Sequence, residues 1–72
     1  MQYAIVIENA PRSSNLSAYV PDLPGCITTG RTLEEIKRNM QEAIELHLTG
    51  PREDGLPIPK PSTEVATVEL AA

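Results

Sequence analysis

The chain has 72 residues, with 6 Lys and Arg against 10 Asp and Glu, so its formal net charge is −4. This length allows one small domain, expected to span residues 1–72. Nucleic-acid binding requires clustered basic residues, and here they are scattered, which argues against it. Cys26 is the single cysteine, so no disulfide forms within the chain.

The sequence also bears on compartment and stability. It begins Met1-Gln2-Tyr3 and contains neither a basic, apolar leader nor a run of about 20 apolar residues. We therefore expect a cytoplasmic protein with no signal peptide and no membrane contact.

The core must be aliphatic, because the chain has no Trp and no Phe. A domain this small has modest stability, and self-association would add to it.

The first 30 residues predict three short strands. Residues 2–8 and 16–20 are rich in β-forming side chains that alternate, and a polar turn with a proline separates them. Pro24-Gly25 marks a second turn, because proline fixes φ and glycine accepts a positive φ. Residues 26–29 then predict the third strand.

A helix with a capping box comes next. Thr32 and Glu35 are spaced so that the Thr32 hydroxyl accepts from the Glu35 amide and the Glu35 carboxylate reaches back. Apolar residues then recur at helical spacing and predict one buried stripe. The stripe consists of Leu33, Ile36, Met40, Ala43, Ile44 and His47, with Leu48 at its edge. Gly50-Pro51 is typical of a helix stop, which predicts a helix over residues 33–49.

The residues after the predicted helix, 51–70, predict an extended connection and a last strand. Residues 51–62 contain four prolines and cannot continue the helix. Residues 63–70 alternate again, and such a strand can return parallel to the first through a right-handed crossover. The expected fold class is α+β: the order β-β-β-α-β, an antiparallel three-stranded sheet plus a C-terminal strand, with one helix packed on one face. The other face has little cover, which favours a partner there or at a strand edge.

Few residues suggest chemistry. His47, the only histidine, lies on the apolar stripe, which favours a packing or helix-end role over general base catalysis. For Cys26 a buried thiol is favoured over a nucleophile. Glu8, Asp22 and Glu42 are the carboxylates that could bind Mg²⁺ together. Glu42 lies on the polar helix face, and Asp22 lies in a turn where a local Asx hydrogen bond is the ordinary role. We expect no metal, no cofactor and no catalytic set.

The ordered segments resemble the HicB family of toxin–antitoxin antitoxins. The resemblance runs through essentially the whole chain. It is carried by Y-V-P-D-L-P-G-C at 19–26, T-G at 29–30, T-L-E-E at 32–35, A-I-E at 43–45 and D-G-L-P-I-P-K-P-S at 54–62. The motif residues, for which a mostly structural role is expected, are Tyr19, Pro21, Asp22, Pro24, Gly25, Cys26, Gly30, Gly55, Pro57 and Pro59.

The resemblance implies a partial RNase H-like fold without a working nuclease centre. HicB-type domains bind and block a small, basic, mRNA-cleaving HicA-like toxin, and they commonly form homodimers or higher homo-oligomers. An acidic chain suits a basic partner through electrostatic steering. Many HicB antitoxins carry a C-terminal DNA-binding module, whereas this sequence ends at Ala72 directly after the predicted strand. We therefore expect no direct DNA binding.

Two other functions remain open at this point. One is a self-assembling orphan domain with a regulatory or structural role and no toxin. The other, which the residues favour least, is a metal-dependent nuclease built on the three carboxylates named above.

Overall fold

The computed structural model describes residues 1–9 and 14–71, and these contain three strands and one helix. The elements are β1 (Val6–Asn9), β2 (Leu16–Tyr19), β3 (Ile27–Gly30) and α1 (Leu33–Glu53). The sheet has the order β1-β2-β3 with antiparallel pairing throughout. This confirms the α+β class and the predicted three-stranded antiparallel sheet with one helix.

The strand register explains why β1 is shorter than the predicted strand over residues 2–8. Val6 pairs with Tyr19, and Tyr19 in turn pairs with Ile27. Residues before Val6 would need partners beyond Tyr19, where β2 has already ended and the chain turns at Pro21. The ladder therefore begins at Val6 and runs to Asn9.

The core lies between the sheet and α1, and one of its most deeply buried side chains comes from a loop. Leu23, in the β2–β3 connection, is fully buried together with Ile36 and Met40 of the helix. The predicted inward face of β2 is confirmed, because Ala18 and Val20 are buried as well. Cys26 and Leu48 complete the buried cluster within the described residues.

The helix starts as predicted, but its buried face differs from the predicted stripe at its first residue and in its last turns. The Glu35 amide donates to the Thr32 hydroxyl oxygen over 3.1 Å, which confirms the cap. Leu33 and His47 are exposed rather than packed, whereas Leu48 is only 3% exposed. Tyr3, Ile5 and Ile58 pack against the buried cluster that contains Leu48, and His47 does not belong to that cluster.

The predicted helix stop at Gly50-Pro51 is wrong, since α1 continues to Glu53. Pro51 lies in the last turn, where it removes one amide donor, and Gly50 has no Cβ to collide with the proline ring. The residue that terminates the helix is Gly55, two positions after Glu53, and its φ is +69°. The Leu56 amide donates to the Pro51 carbonyl over 2.8 Å and the Gly55 amide to the Arg52 carbonyl over 3.2 Å, which is a Schellman motif.

The predicted strand over residues 63–70 is not formed, because none of the described residues after α1 joins the sheet. Its alternation is real, but a strand also requires a partner edge, and the segment does not lie along β1 in this structure. Val65, Val68 and Leu70 are instead between 72% and 84% exposed. Over the described residues α1 is also not apolar enough along its length to cross a bilayer.

Replacing Gly30 by Ala should destabilise the fold. An added Cβ would lie 3.2 Å from both the Ile36 side chain and the Ile36 backbone nitrogen, and the backbone atom cannot move aside cheaply. We expect a loss of about 1–3 kcal/mol in the free energy of unfolding, measured by urea denaturation. The matched control is Ser17→Ala on the exposed face of β2, which should stay within about 0.5 kcal/mol of the parent. Equal stability of the two variants would contradict this packing.

Candidate functional site

The β2–β3 connection, residues 20–26, is a closed loop held by its own backbone. The Val20 amide donates to the Cys26 carbonyl, the Leu23 amide to the Val20 carbonyl and the Cys26 amide to the Leu23 carbonyl, each over 3.1 Å. Gly25 has a φ of +83°, which confirms the predicted Pro24-Gly25 turn. The loop thereby buries Leu23 in the core and keeps Asp22 at the surface.

Asp22 makes the densest set of polar contacts described in the structure. Its carboxylate accepts from the Ser62 amide (3.0 Å) and hydroxyl (2.9 Å) and from the Thr63 amide (3.1 Å) and hydroxyl (2.8 Å). The backbone hydrogen bond from Ser62, followed by the bonds from Thr63, lowers the pKa of Asp22 to about 2. The expected local Asx bond is therefore replaced by contacts with residues 40 and 41 positions away.

The post-helix segment, residues 54–63, is held at three points along its length. Ile58 packs against the core cluster. The Tyr3 hydroxyl donates to the Pro59 carbonyl. Ser62 and Thr63 then bind Asp22. The two halves of the sequence motif, before and after the helix, thus form one continuous surface.

Cys26 is a buried thiol. It is 4% exposed, and its Sγ lies 3.9 Å from the Met40 Sδ. Burial raises the pKa of the Cys26 thiol, so it stays protonated and unreactive. The prediction of a buried cysteine is confirmed.

The three carboxylates considered for a metal site do not come together. Asp22 is occupied by Ser62 and Thr63, while Glu8 and Glu42 are exposed on β1 and on the helix. Over residues 1–9 and 14–71, no group of three or more His, Cys, Asp or Glu side chains is placed to hold a metal ion. Within these residues, the three carboxylates of the nuclease alternative are not brought into one cluster.

The remaining motif residues divide between the core and the surface. Gly30 is buried beneath the start of α1, and Gly55 takes the left-handed position that ends it. The other members are exposed at the loop and along the post-helix segment: Pro21, Pro24, Pro57 and Pro59. Tyr19 is 41% exposed on β2.

Tyr19 belongs to the outer sheet face, the side of the sheet turned away from α1. The register places Val6, Tyr19 and Ile27 in one row across the three strands. Ile27 is 70% exposed, and a shallow groove of about 430 Å³ runs beside it, with Glu8 at its rim. Large exposed apolar side chains in one row are typical of a contact surface. The open face was predictable from the sequence, but the contribution of Ile27 was missed.

A second, wider opening lies on the other side of the sheet. The β1-side groove has a volume of about 680 Å³ and lies between residues 1–5 and one side of α1, from Lys37 to Arg52. Its apolar lining includes Tyr3, Ile5, Ile44 and Leu48. It exists because α1 packs on β3 and β2 and not on β1.

The structure is thus a small α+β domain with a closed motif loop and open apolar surfaces. The sequence matches the family model of the HicB-like antitoxin of bacterial toxin–antitoxin systems over residues 3–71. The chain therefore belongs to the HicB-like antitoxin family.

Relatives in several organisms are similar over most of the chain. A UPF0150 protein of Helicobacter pylori is 42% identical over 55 residues, covering 75% of this chain and 76% of that protein. A UPF0150 protein of Thermoplasma acidophilum is 32% identical over 68 residues, covering 94% and 97%. An uncharacterised protein of Haemophilus phage HP1 is 43% identical over 60 residues, covering 83% of this chain but 44% of that protein. The chain thus spans under half of the phage protein.

A solved structure is similar in fold as well as in sequence. It is a chain of the HicA3 and HicB3 toxin–antitoxin complex, which superposes with a TM-score of 0.66 at 31% identity. The match covers 86% of this chain and 70% of that chain.

Protonation of Asp22 should release the end of the post-helix segment only in strong acid. The folded pKa of about 2 lies below the ordinary value of 3.8, so the contact is complete above the ordinary value and is lost as the pH falls through 2. The amide chemical shifts of Ser62 and Thr63, followed by NMR, should titrate with a midpoint near pH 2. A midpoint near pH 3.8 would contradict the four hydrogen bonds.

Asp22→Asn should remove that titration and speed hydrogen exchange at Ser62 and Thr63, because the amide side chain offers one acceptor oxygen in place of two. The matched control is Glu64→Gln, which removes the same charge from a neighbouring exposed residue. The control should leave both readouts unchanged.

Proposed function

We propose that this chain is an antitoxin that binds and neutralises a small HicA-like, RNA-cleaving toxin and performs no catalysis itself. The observation that carries the proposal is the family match together with the likeness to a chain solved in a toxin–antitoxin complex. On this proposal the whole chain acts as one domain in the cytoplasm, and its motif residues are mainly structural.

The chemistry of the motif supports binding rather than catalysis. Asp22 has its carboxylate oxygens engaged by Ser62 and Thr63, and Cys26 is buried with a raised pKa. A nucleophile or general base needs a free, reachable group with a partner beside it. Both groups instead stabilise the fold.

The net charge supports a basic partner. The chain carries −4 at neutral pH, and a small toxin that binds RNA must present positive charge to phosphates. Opposite net charges raise the association rate, and salt screens that effect within about 10 Å at 0.1 M ionic strength. We therefore expect toxin association to slow as salt is added.

We place the toxin contact on the outer sheet face. Tyr19 and Ile27 supply exposed apolar area next to each other, and Glu8 lies beside them as an anionic rim. Interfaces commonly combine a central aromatic or aliphatic contact with a polar rim. The bonds between Asp22 and the post-helix segment hold the loop that joins the two strands of this face.

Co-expression with a HicA-like toxin should relieve the growth arrest that the toxin causes. The chain alone should have no RNase activity, and mixing it with purified toxin should stop RNA cleavage at a stoichiometric ratio. Failure of rescue with a toxin encoded beside this chain, under conditions where both proteins accumulate, would overturn the proposal.

Ile27→Asp should weaken toxin binding without unfolding the chain. The residue is 70% exposed, so the fold loses little, whereas a charge in a desolvated apolar contact should raise the dissociation constant at least about tenfold. The matched control is Leu46→Asp, because Leu46 is 77% exposed on the helix, away from the outer sheet face. Calorimetry with purified toxin provides the measurement. Equal losses in both variants would exclude this face.

A further inference from the structure

The outer sheet face consists of two rows of side chains that run across the three strands. The first is the apolar row that contains Tyr19 and Ile27. The second row lies two residues further along each strand and contains Glu8, Ser17 and Thr29. Since an antiparallel strand rises about 3.4 Å per residue, the two rows lie about 7 Å apart. The face therefore presents an apolar half and a polar half next to each other.

The polar half has the chemistry of a cation site. Glu8 is the only charged side chain among the described residues that line the outer groove, the shallow groove of about 430 Å³ on this face. Glu8 is exposed, and within residues 1–9 and 14–71 no hydrogen bond or ion pair engages its carboxylate. The other polar side chains of the groove carry hydroxyls, which accept hydrogen bonds as well as donate them. The carboxylate is thus left available to a cation from outside the chain.

Tyr19 supplies an aromatic ring within reach of the same cation. Glu8 pairs with Ser17, so Tyr19 is the diagonal neighbour of Glu8 across β1 and β2. Diagonal neighbours lie about 7–8 Å apart, a distance that long and aromatic side chains bridge. Tyr19 is 41% exposed, so a partner can contact its ring. A cation over the face of an aromatic ring is attracted by the ring quadrupole.

Arginine fits this combination better than lysine does. A guanidinium is planar, stacks on aromatic rings and has five N–H donors, enough for a carboxylate and for neighbouring hydroxyls. A lysine ammonium is a more strongly hydrated point charge. Adjacent strands lie about 4.8 Å apart, so an aliphatic arginine stem over Ile27 places the guanidinium between Tyr19 and Glu8.

We propose that the outer groove binds an arginine side chain of the partner protein. The guanidinium lies over the Tyr19 ring and pairs with the Glu8 carboxylate, while Ile27 contacts the aliphatic stem. The hydroxyls of Ser17 and Thr29 accept from the remaining N–H groups. The partner is the basic toxin, so this inference rests on the proposed function and names the toxin group that the face recognises.

Titration of the full chain with N-acetyl-arginine amide, followed by NMR, tests the groove without any toxin. The matched probe is N-acetyl-citrulline amide, which keeps the shape of the side chain and lacks the charge. We expect saturable shifts at Glu8, Tyr19 and Ile27 with the arginine probe. The citrulline probe should bind at least about fivefold more weakly, because it loses both the ion pair and the cation–π contact.

Glu8→Gln should reduce the affinity for the arginine probe to that for the citrulline probe. The matched control is Glu42→Gln, which removes the same charge from the exposed face of the helix and should leave the affinity unchanged. Tyr19→Leu keeps an apolar side chain without a ring and should weaken arginine binding at least about twofold. Circular dichroism should show that each variant keeps its helix.

The same variants in calorimetry with purified toxin separate this inference from the proposed function. Glu8→Gln should raise the dissociation constant for toxin at least about tenfold, and Glu42→Gln less than about twofold. Equal binding of the two probes, or shifts that lie outside the groove, would overturn the arginine site. Full toxin affinity in Glu8→Gln would overturn it as well. Arginine-specific binding by a chain that binds no toxin would support the groove and overturn the proposed function alone.

Discussion

Four hydrogen bonds to the Asp22 carboxylate determine how the part of the chain after the helix lies on the rest. Ile58 and the bond from Tyr3 to Pro59 are further contacts between the post-helix segment and the domain. The contact needs a rigid acceptor, and the β2–β3 loop provides one because Leu23 is buried and Gly25 closes the turn. It also needs an extended donor segment, which the prolines after α1 provide.

This arrangement accounts for the residue types of the motif loop. Proline, aspartate, glycine and cysteine in one short loop suggest a catalytic site, yet each satisfies a requirement of the fold: a fixed φ, a hydrogen-bond acceptor, a positive φ and a small buried side chain. Binding is then left to the surfaces that the fold leaves open. The outer sheet face and the β1-side groove lie on opposite sides of the sheet.

Local interactions made much of this fold predictable from sequence. The capping box at Thr32, the turn at Pro24-Gly25 and the inward face of β2 depend on neighbouring residues, and all three are confirmed. The predictions that were wrong concern residues whose structure or burial depends on a contact with a distant part of the chain. The partner of Asp22 lies 40 residues away, the burial of Leu48 depends on the N-terminal segment, and a strand over residues 63–70 requires an edge that alternation alone cannot supply. Nothing in residues 50–51 shows that the Schellman motif at Gly55 ends the helix instead.

We propose above all that this chain acts by binding a toxin. The most direct test is to purify the tagged chain from its source cells at low salt and identify what accompanies it by mass spectrometry. We expect a stoichiometric, small, basic protein that elutes at high salt, cleaves RNA once freed and stops doing so when the chain is added back. Recovery of the chain alone, or of a companion whose activity the chain does not change, would contradict the claim.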